Sequence, residues 1–254
     1  MTSLNDRQKL ILRMLGENRE LSVSELTDRF RVSGVTIRQD LDLLQDQGLL
    51  RRVHGGAILH SEDDIAHRLG FNFEAKLAIA ERAAAMIDPG DTIFIEAGSV
   101  NAILARQLLS RGDIRIVTSN LFIARTLKDS EVTVVTLGGV YQHHSECMVG
   151  QLARLGIQEI NFNRAFIGCD GISLDNGYTS SDMMRAEIAG EVVRRAPHSY
   201  LMTDSSKFGR AALSRIAPIE GVDHVVTDPG IPDEFADGLA RAGVQLHIAR
   251  HVAV

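Results

Sequence analysis

From Lys76 onward the chain alternates between two kinds of apolar segment, and that alternation limits its possible folds more than any other feature. KLAIAERAAAMI has helical spacing and is stopped by DPGD. Short runs rich in β-branched and aromatic residues then recur as buried strands: TIFIE (Thr92–Glu96), RIVTSN, VTVVTLGG, RAFIGCDG, SYLM, HVVTD and VQLHIA. Between most of them lie amphipathic helices of about ten residues, among them NAILARQLLS, LFIARTLKD, SDMMRAEIAGEVVRRA and EFADGLARAG. Strands alternating with helices of that length predict an open α/β sheet with parallel strands.

In such sheets ligands bind beyond the C-terminal ends of the strands. The polar motifs of this half fall there. Glu96 closes one strand, and Gly98, Ser99 and Asn101 open the next helix. Gly98 permits a tight turn, and the amides after it suit a phosphate at a helix N-terminus. Thr118 and Asn120 end the next strand, Gly138-Gly139 the third and Asp170 the fourth. Asp204-Ser205-Ser206-Lys207 ends the fifth, where Lys207 offers a point charge to an anion. Taken singly, each is the composition of an ordinary turn; five on one edge of one sheet predict a pocket.

The first 58 residues follow another plan. DRQKLILRMLGEN (Asp6–Asn18) sets Ile11, Met14 and Leu15 at helical spacing behind Leu4 and Leu10, with Asn5 or Asp6 as the cap. Ser22 or Ser24 caps a shorter helix with Leu26 and Phe30 four apart, and RVSG makes a turn. Ser33 caps a third helix, GVTIRQDLDLLQDQ, expected to bury Val35, Ile37, Leu41 and Leu44 and to end at Gly48. LLRRVHGGAIL then reads as a hairpin with Leu50, Val53 and Ile58 inward and Gly55-Gly56 as its two-residue turn. Three helices and a hairpin make a winged helix-turn-helix.

The polar residues of the third helix fall early: Ser33, Thr36, Arg38 and Gln39. A recognition helix places its N-terminal residues against base edges. Arg pairs with guanine and Gln with adenine, each good pair worth about 1–3 kcal/mol of discrimination. Arg51, Arg52, His54 and Gly55 of the hairpin are expected beside the DNA backbone or in the minor groove. The formal net charge of −6 argues against a nucleic-acid partner only until it is divided. The first 58 residues hold nine Lys/Arg and eight Asp/Glu, leaving 18 and 25 for the rest. Nonspecific DNA affinity follows a local basic edge, not the total charge.

S-x-x-T-I-R-x-D-L (Ser33–Leu41) followed by L-x-R-x-H-G-G (Leu50–Gly56) resembles the DeoR-type bacterial transcription regulators, in which the pattern spans recognition helix and wing. Residues of about 75–250 are similar to the sensor domain of that family, which is related in fold to ribose-5-phosphate isomerase and glucosamine-6-phosphate deaminase. The resemblance implies operator DNA as one partner and a phosphorylated sugar or similar metabolite as the other. The family's phosphate loop reads Asp-x-Gly-Ser-Thr; here Glu96 stands for the Asp and Val100 for the Thr. IFIEAGSVNAILAR, LGGVYQ, SECMVG, DMMR and TDSSKFG are most similar to the YciT-like branch.

The expected organisation is therefore residues 1–58 as the DNA-binding domain and 59–74 as a linker running into the start of a helix. Residues 75–254 form the effector-binding and oligomerisation domain. The polar N-terminus is unlike a signal peptide, no apolar run is long enough for a membrane span, and two cysteines suit a reduced cytoplasm. A homodimer or homotetramer repressor without cofactor is expected. The rival is an active sugar-phosphate isomerase or deaminase fused to a DNA-binding module. Against it, one carboxylate of the isomerase motif is kept as Asp170, but Ile167 occupies the other acidic position. The catalytic Glu falls near Ala186, one residue from Glu187. HHSEC (His143–Cys147) contains metal-ligand types at a spacing that fits no standard site and reads as a loop over the pocket mouth. Cys169 reads as a buried small hydrophobe.

Overall fold

The computed structural model describes residues 4–18, 20–46, 49–58 and 65–250. The chain divides into two compact units, Met1–Phe73 and Glu74–Val254.

The first unit contains helix α1 (Asp6–Asn18), strand β1 (Glu20–Ser22) and helices α2 (Val23–Phe30) and α3 (Gly34–Asp46). Strands β2 (Arg51–Val53) and β3 (Gly56–Ile58) and helix α4 (Ile65–Gly70) complete it. Asn5 caps α1: its side chain accepts from the Gln8 amide at 2.9 Å, and Gln8 accepts from the Asn5 amide at 3.0 Å. Ser22 caps α2 through a full capping box with Glu25. Ser33 caps α3, accepting from the Thr36 amide at 3.2 Å. Ile11, Leu15, Leu26, Ile37, Leu41 and Leu44 are fully buried. Such side chains contribute about 1.5–3 kcal/mol each by leaving water.

Three expectations change here. Val35 is 62% exposed rather than core. It sits about 200° around the helix from Ile37, so both cannot face inward. The hairpin turn is His54-Gly55, since Val53 pairs with Gly56. Gly55 has φ +85° and Gly56 belongs to β3, whose other neighbour is β1. A Cβ on Gly56 would lie 2.3 Å from the Leu21 carbonyl oxygen, so the closeness of β1 is what requires glycine there. The segment expected to link the domains contains α4, which packs on α1: a Cβ on Gly70 would meet Leu12 at 3.3 Å. Gly48, the expected end of α3, and residues 59–64 lie outside the described residues.

The second unit begins with α5 (Phe73–Ala84), β4 (Thr92–Ile95), α6 (Ser99–Gln107), β5 (Arg115–Thr118), α7 (Leu121–Thr126) and β6 (Thr133–Thr136). A small hairpin, β7 (Val140–Gln142) and β8 (Cys147–Val149), leads to α8 (Gln151–Glu159) and β9 (Arg164–Ile167). Then come β10 (Gly171–Ser173), β11 (Gly177–Ser180), α9 (Met183–Arg195), β12 (His198–Met202) and β13 (Ser214–Ala217). The unit ends with β14 (His224–Thr227), α10 (Asp233–Arg241) and β15 (Gln245–Ile248).

Seven strands form one sheet in the order β15-β14-β12-β9-β4-β5-β6, with every neighbouring pair parallel. That is the open α/β sheet the alternation predicts. A three-stranded antiparallel sheet, β10-β11-β13, and the β7-β8 hairpin are additions to it. Chain order runs outward from β4 through β5 to β6, then restarts at β9 on the other side of β4. The C-terminal ends of β4 and β9 are thus the topological switch point.

The opposite edge of the sheet is tied by charge and ring stacking. Arg164 donates to Asp91 at 2.6 Å, to Asp88, and to the Tyr200 hydroxyl at 2.9 Å. Tyr200 stacks on His224 with ring centroids 4.4 Å apart, and His224 Nδ1 lies 3.2 Å from His247 Nε2. Burial, and then the facing His247, lowers the His224 pKa; burial lowers that of His247, with Arg82 adding to it.

Two outcomes are expected. Asp40, buried on α3, accepts from Arg7 at 2.5 Å and Gln8 at 2.8 Å of α1. Asp40→Ala should cost about 1–3 kcal/mol of stability by leaving Gln8 without that partner in a buried site. Urea titration measures this, and a loss below about 0.5 kcal/mol contradicts the role assigned to Asp40. The two imidazoles hold their protons less readily folded than unfolded, where they titrate near 6.5. Their contribution is therefore complete above that value and is lost as pH falls through it. Lowering pH from about 7.5 to 5.5 should reduce the thermal midpoint of the second unit, and less so in His224→Gln. An equal fall in both proteins rules out the pair as the source.

Candidate functional sites

The reading face of the first unit is set by which side of α3 stays out of its core. Ile37, Asp40, Leu41 and Leu44 point inward. Ser33, Val35, Arg38, Gln39 and Asp42 are exposed, and Thr36 is half-buried with its hydroxyl 2.9 Å from that of Ser33. Exposed Val35 adds an apolar group of the kind that meets a thymine methyl. The hairpin is locked to this helix. Arg52 donates from its guanidinium to Asp42 and, at 3.3 Å, to the Arg38 carbonyl, while its amide donates to Gln45 at 2.8 Å. Arg52 thus acts inside the module as a strut. Arg51, His54 and Gly55 are exposed.

In the second unit, Asn101 closes the switch point. Its side chain is fully buried and donates to the carbonyls of Glu96 at 2.8 Å, Ala97 at 3.3 Å and Phe166 at 3.2 Å. It binds the ends of β4 and β9 together and holds the turn before α6. That turn has Gly98 at φ +136°, and no side chain caps the helix there. Helices α7 and α9 differ: Asn120 accepts from the Ile123 amide at 3.0 Å, and Asp182 from the Arg185 amide at 2.8 Å. Helix α8 also begins at a glycine, Gly150, but against the apolar ends of Met184 and Val140. Of these four helices, α6 offers an anion a polar, uncapped end.

The other expected residues divide by what they already do. Thr118 donates to the Ile95 carbonyl at 2.7 Å and accepts from the Asn120 amide. The Asn120 amide group donates to the Ser145 carbonyl at 2.8 Å and reaches Cys147 Sγ at 3.5 Å. Both are fully buried, and their polar groups are engaged inside the protein. Gly139 admits the β8 backbone, since a Cβ there would lie 2.5 Å from the Val149 carbonyl oxygen; Gly138 faces open space. Glu96 is 6% exposed and accepts from the Gly168 amide at 3.4 Å, across the switch point. Asp170 accepts from the Ser181 amide at 2.9 Å and hydroxyl at 2.7 Å, and Lys207 is half-buried in a single helical turn.

HHSEC forms the turn between β7 and β8. Cys147 is buried beside Asn120, and its thiol is pushed up to about 11, chiefly by burial. It stays protonated at neutral pH. Among the described residues no three His, Cys, Asp or Glu side chains are grouped to hold a metal ion. Cys169 is buried, as expected for a small hydrophobe.

The DeoR-like helix-turn-helix domain matches residues 7–63, and the DeoR C terminal sensor domain matches residues 71–229. The chain belongs to the DeoR family. A DeoR-family relative from Escherichia coli O157:H7, named as a putative aga operon transcriptional repressor, is 28% identical over 97% of this chain and 94% of its own length. The transcriptional repressor AccR of Agrobacterium fabrum is 32% identical over 90% of this chain and 91% of its own. Among solved structures, the ribose-5-phosphate isomerase of Methanocaldococcus jannaschii is similar over 54% of this chain and 55% of its own, with 18% identity and a TM-score of 0.39. A likeness that distant says nothing about function.

DeoR-family membership makes the chain a transcriptional regulator rather than an enzyme. Ile167 is fully buried and apolar. Glu187, the nearest candidate for a displaced base, is exposed on α9 and pairs with Arg154 at 3.5 Å. Sequence reasoning missed two residues. Asp40 looks polar and solvent-facing, yet it falls on the stripe of Ile37, Leu41 and Leu44, which is the signal that marks it as inward. Arg185 is 6% exposed at the first turn of α9, a burial that its charge alone would not predict.

Proposed function

We propose that this chain is a cytoplasmic repressor that reads operator DNA with its first unit and senses a phosphorylated sugar or related metabolite with its second. The observation that carries the sensing half is the α6 terminus: a glycine turn, uncapped by any side chain, at the point where strand order reverses. Gly98 and Ser99 would receive the phosphate on backbone amides, with Lys207 as a point charge. Glu96 and Asp170 would accept from sugar hydroxyls, while Asn101, Thr118, Asn120, Gly138 and Gly139 hold the walls.

On the DNA side, Arg38, Gln39, Thr36 and Val35 would meet base edges, with Ser33 at the helix terminus. Arg51, His54 and Gly55 of the hairpin would lie along the backbone, fixed by the Arg52 strut. A single head of this size reads few bases. Two heads of a homodimer or homotetramer on half-sites about one helical turn apart supply the rest. Repression fits the names of the two relatives above. For the metabolite to act, it must favour one arrangement of the heads over another.

Arg38→Ala should relax base preference at one position per half-site and cost about 1–3 kcal/mol of operator binding. Footprint titration on operator and mutated operator measures it, and unchanged affinity and preference defeat the contact. Ser99→Asp sets a negative charge at the proposed phosphate site. It should abolish the response to sugar phosphates while leaving operator affinity unchanged. The same titration, with and without glucose, fructose, ribose and glycerol phosphates, tests it. A retained response in the variant rules out the α6 terminus as the phosphate site.

A further inference from the structure

Four side chains of α3 stay exposed along one stripe: Val35, Arg38, Gln39 and Asp42. At about 100° of turn per residue they fall within an arc of about 100°, facing away from the buried Ile37, Leu41 and Leu44. Their i, i+3, i+4, i+7 spacing is the one with which the third helix of a homeodomain reads the major groove. Val35, Arg38 and Gln39 have base edges to meet. Asp42 is an acid on a surface meant for DNA. Phosphates repel a carboxylate, so it weakens binding to every sequence that offers it no donor.

The hairpin holds this carboxylate in place. The Asp42 side chain is 60% exposed, and its Oδ1 accepts from Arg52 Nη1. The same Nη1 donates to the Arg38 carbonyl at 3.3 Å, and the Arg52 amide donates to Gln45 Oε1 at 2.8 Å. The tip of the hairpin is tied as well, since the Gly55 carbonyl accepts from the Val23 amide of α2 at 2.8 Å. Arg52 is thus fixed before it reaches Asp42, and it sets the carboxylate in one orientation. The second oxygen, Oδ2, has no partner among the described residues.

We propose that Asp42 reads a cytosine, its Oδ2 accepting from the N4 amino group in the major groove. Arg52 is the positioning residue that orients the carboxylate and offsets its charge. This rests on the reading of α3 as the helix that enters the groove. A carboxylate only accepts. Guanine and thymine present it with acceptors, and the adenine amino group stands beside the acceptor N7, which leaves cytosine. Four residues advance α3 by about 6 Å, or about two base-pair steps. The cytosine therefore lies about two base pairs from the guanine expected for Arg38.

The test is selection from a library of randomised duplexes by the full chain, run in parallel for wild type, Asp42→Ala, Asp42→Asn, Arg38→Ala and Arg52→Met. Titration of the best duplex and its single-base variants follows. The wild type should specify cytosine at one position per half-site, by roughly five- to 150-fold over the other bases. Asp42→Ala should flatten that position alone. Asp42→Asn should shift it toward adenine, which an amide pairs in bidentate fashion. Arg38→Ala should flatten a different position, and Arg52→Met should weaken all sequences and soften the cytosine preference. If Asp42→Ala binds every sequence more weakly with an unchanged preference, Asp42 is a clamp for the hairpin and the proposal is overturned. Flattening of the same position by Asp42→Ala and Arg38→Ala shows action through Arg38 and overturns it as well. Should Asp42→Ala not fold, an unchanged cytosine preference in Asp42→Asn decides against it. Enrichment of no sequence by the wild type defeats the reading of α3 itself, and this proposal with it.

Discussion

The second unit depends on one buried amide. Asn101 donates to three backbone carbonyls, two after β4 and one in β9. In a parallel sheet those ends diverge where the strand order reverses, leaving carbonyls that need a donor. Filling that need from α6 fixes the helix start over the crevice and leaves its terminus to a glycine. The same clip that holds the strand ends together thus fixes the turn before α6. Around it, Thr118 and Asn120 do for β5 and α7 what Asn101 does for β4 and β9.

The first unit shows the same economy in a smaller space. Asp40 gathers Arg7 and Gln8 of α1, and Gln8 also closes the α1 cap. Arg52 reaches from the hairpin to α3. With both faces of α3 anchored, its exposed side is a rigid platform, as a reading head requires. The family pattern T-I-R-x-D-L therefore mixes two functions. Thr36 and Arg38 belong to the outer face, while Ile37, Asp40 and Leu41 hold the helix in place.

Much of this was legible from the residues. All seven parallel strands follow from apolar runs bounded by turns, and the crevice follows from where their polar ends fall. What escaped was set by contacts distant in sequence. Strands β10 and β11 are short and their small residues are buried on both faces, so they show no alternation. The turn was read one residue late because β1 was not foreseen, and it is β1 that demands glycine at position 56. Val35 was misplaced by counting apolar residues without following their angle around the helix. Arg185 carries no local signal: it is buried on a helix that packs against β8, β9, β11, β13 and α8, contacts that its own sequence pattern does not reveal.

The proposed place of the metabolite is the switch point. Hydrogen exchange of the full chain, with and without the sugar phosphate that binds it best, tests this most directly. Slowed exchange is expected in peptides covering residues 96–102 and 168–171, where α6 starts and β9 ends. At the opposite edge of the sheet lies a cleft of about 340 Å³ lined by Thr92, Asn161, Asn163 and Arg195. Protection confined to that cleft, with residues 96–102 unchanged, would place the metabolite away from the switch point.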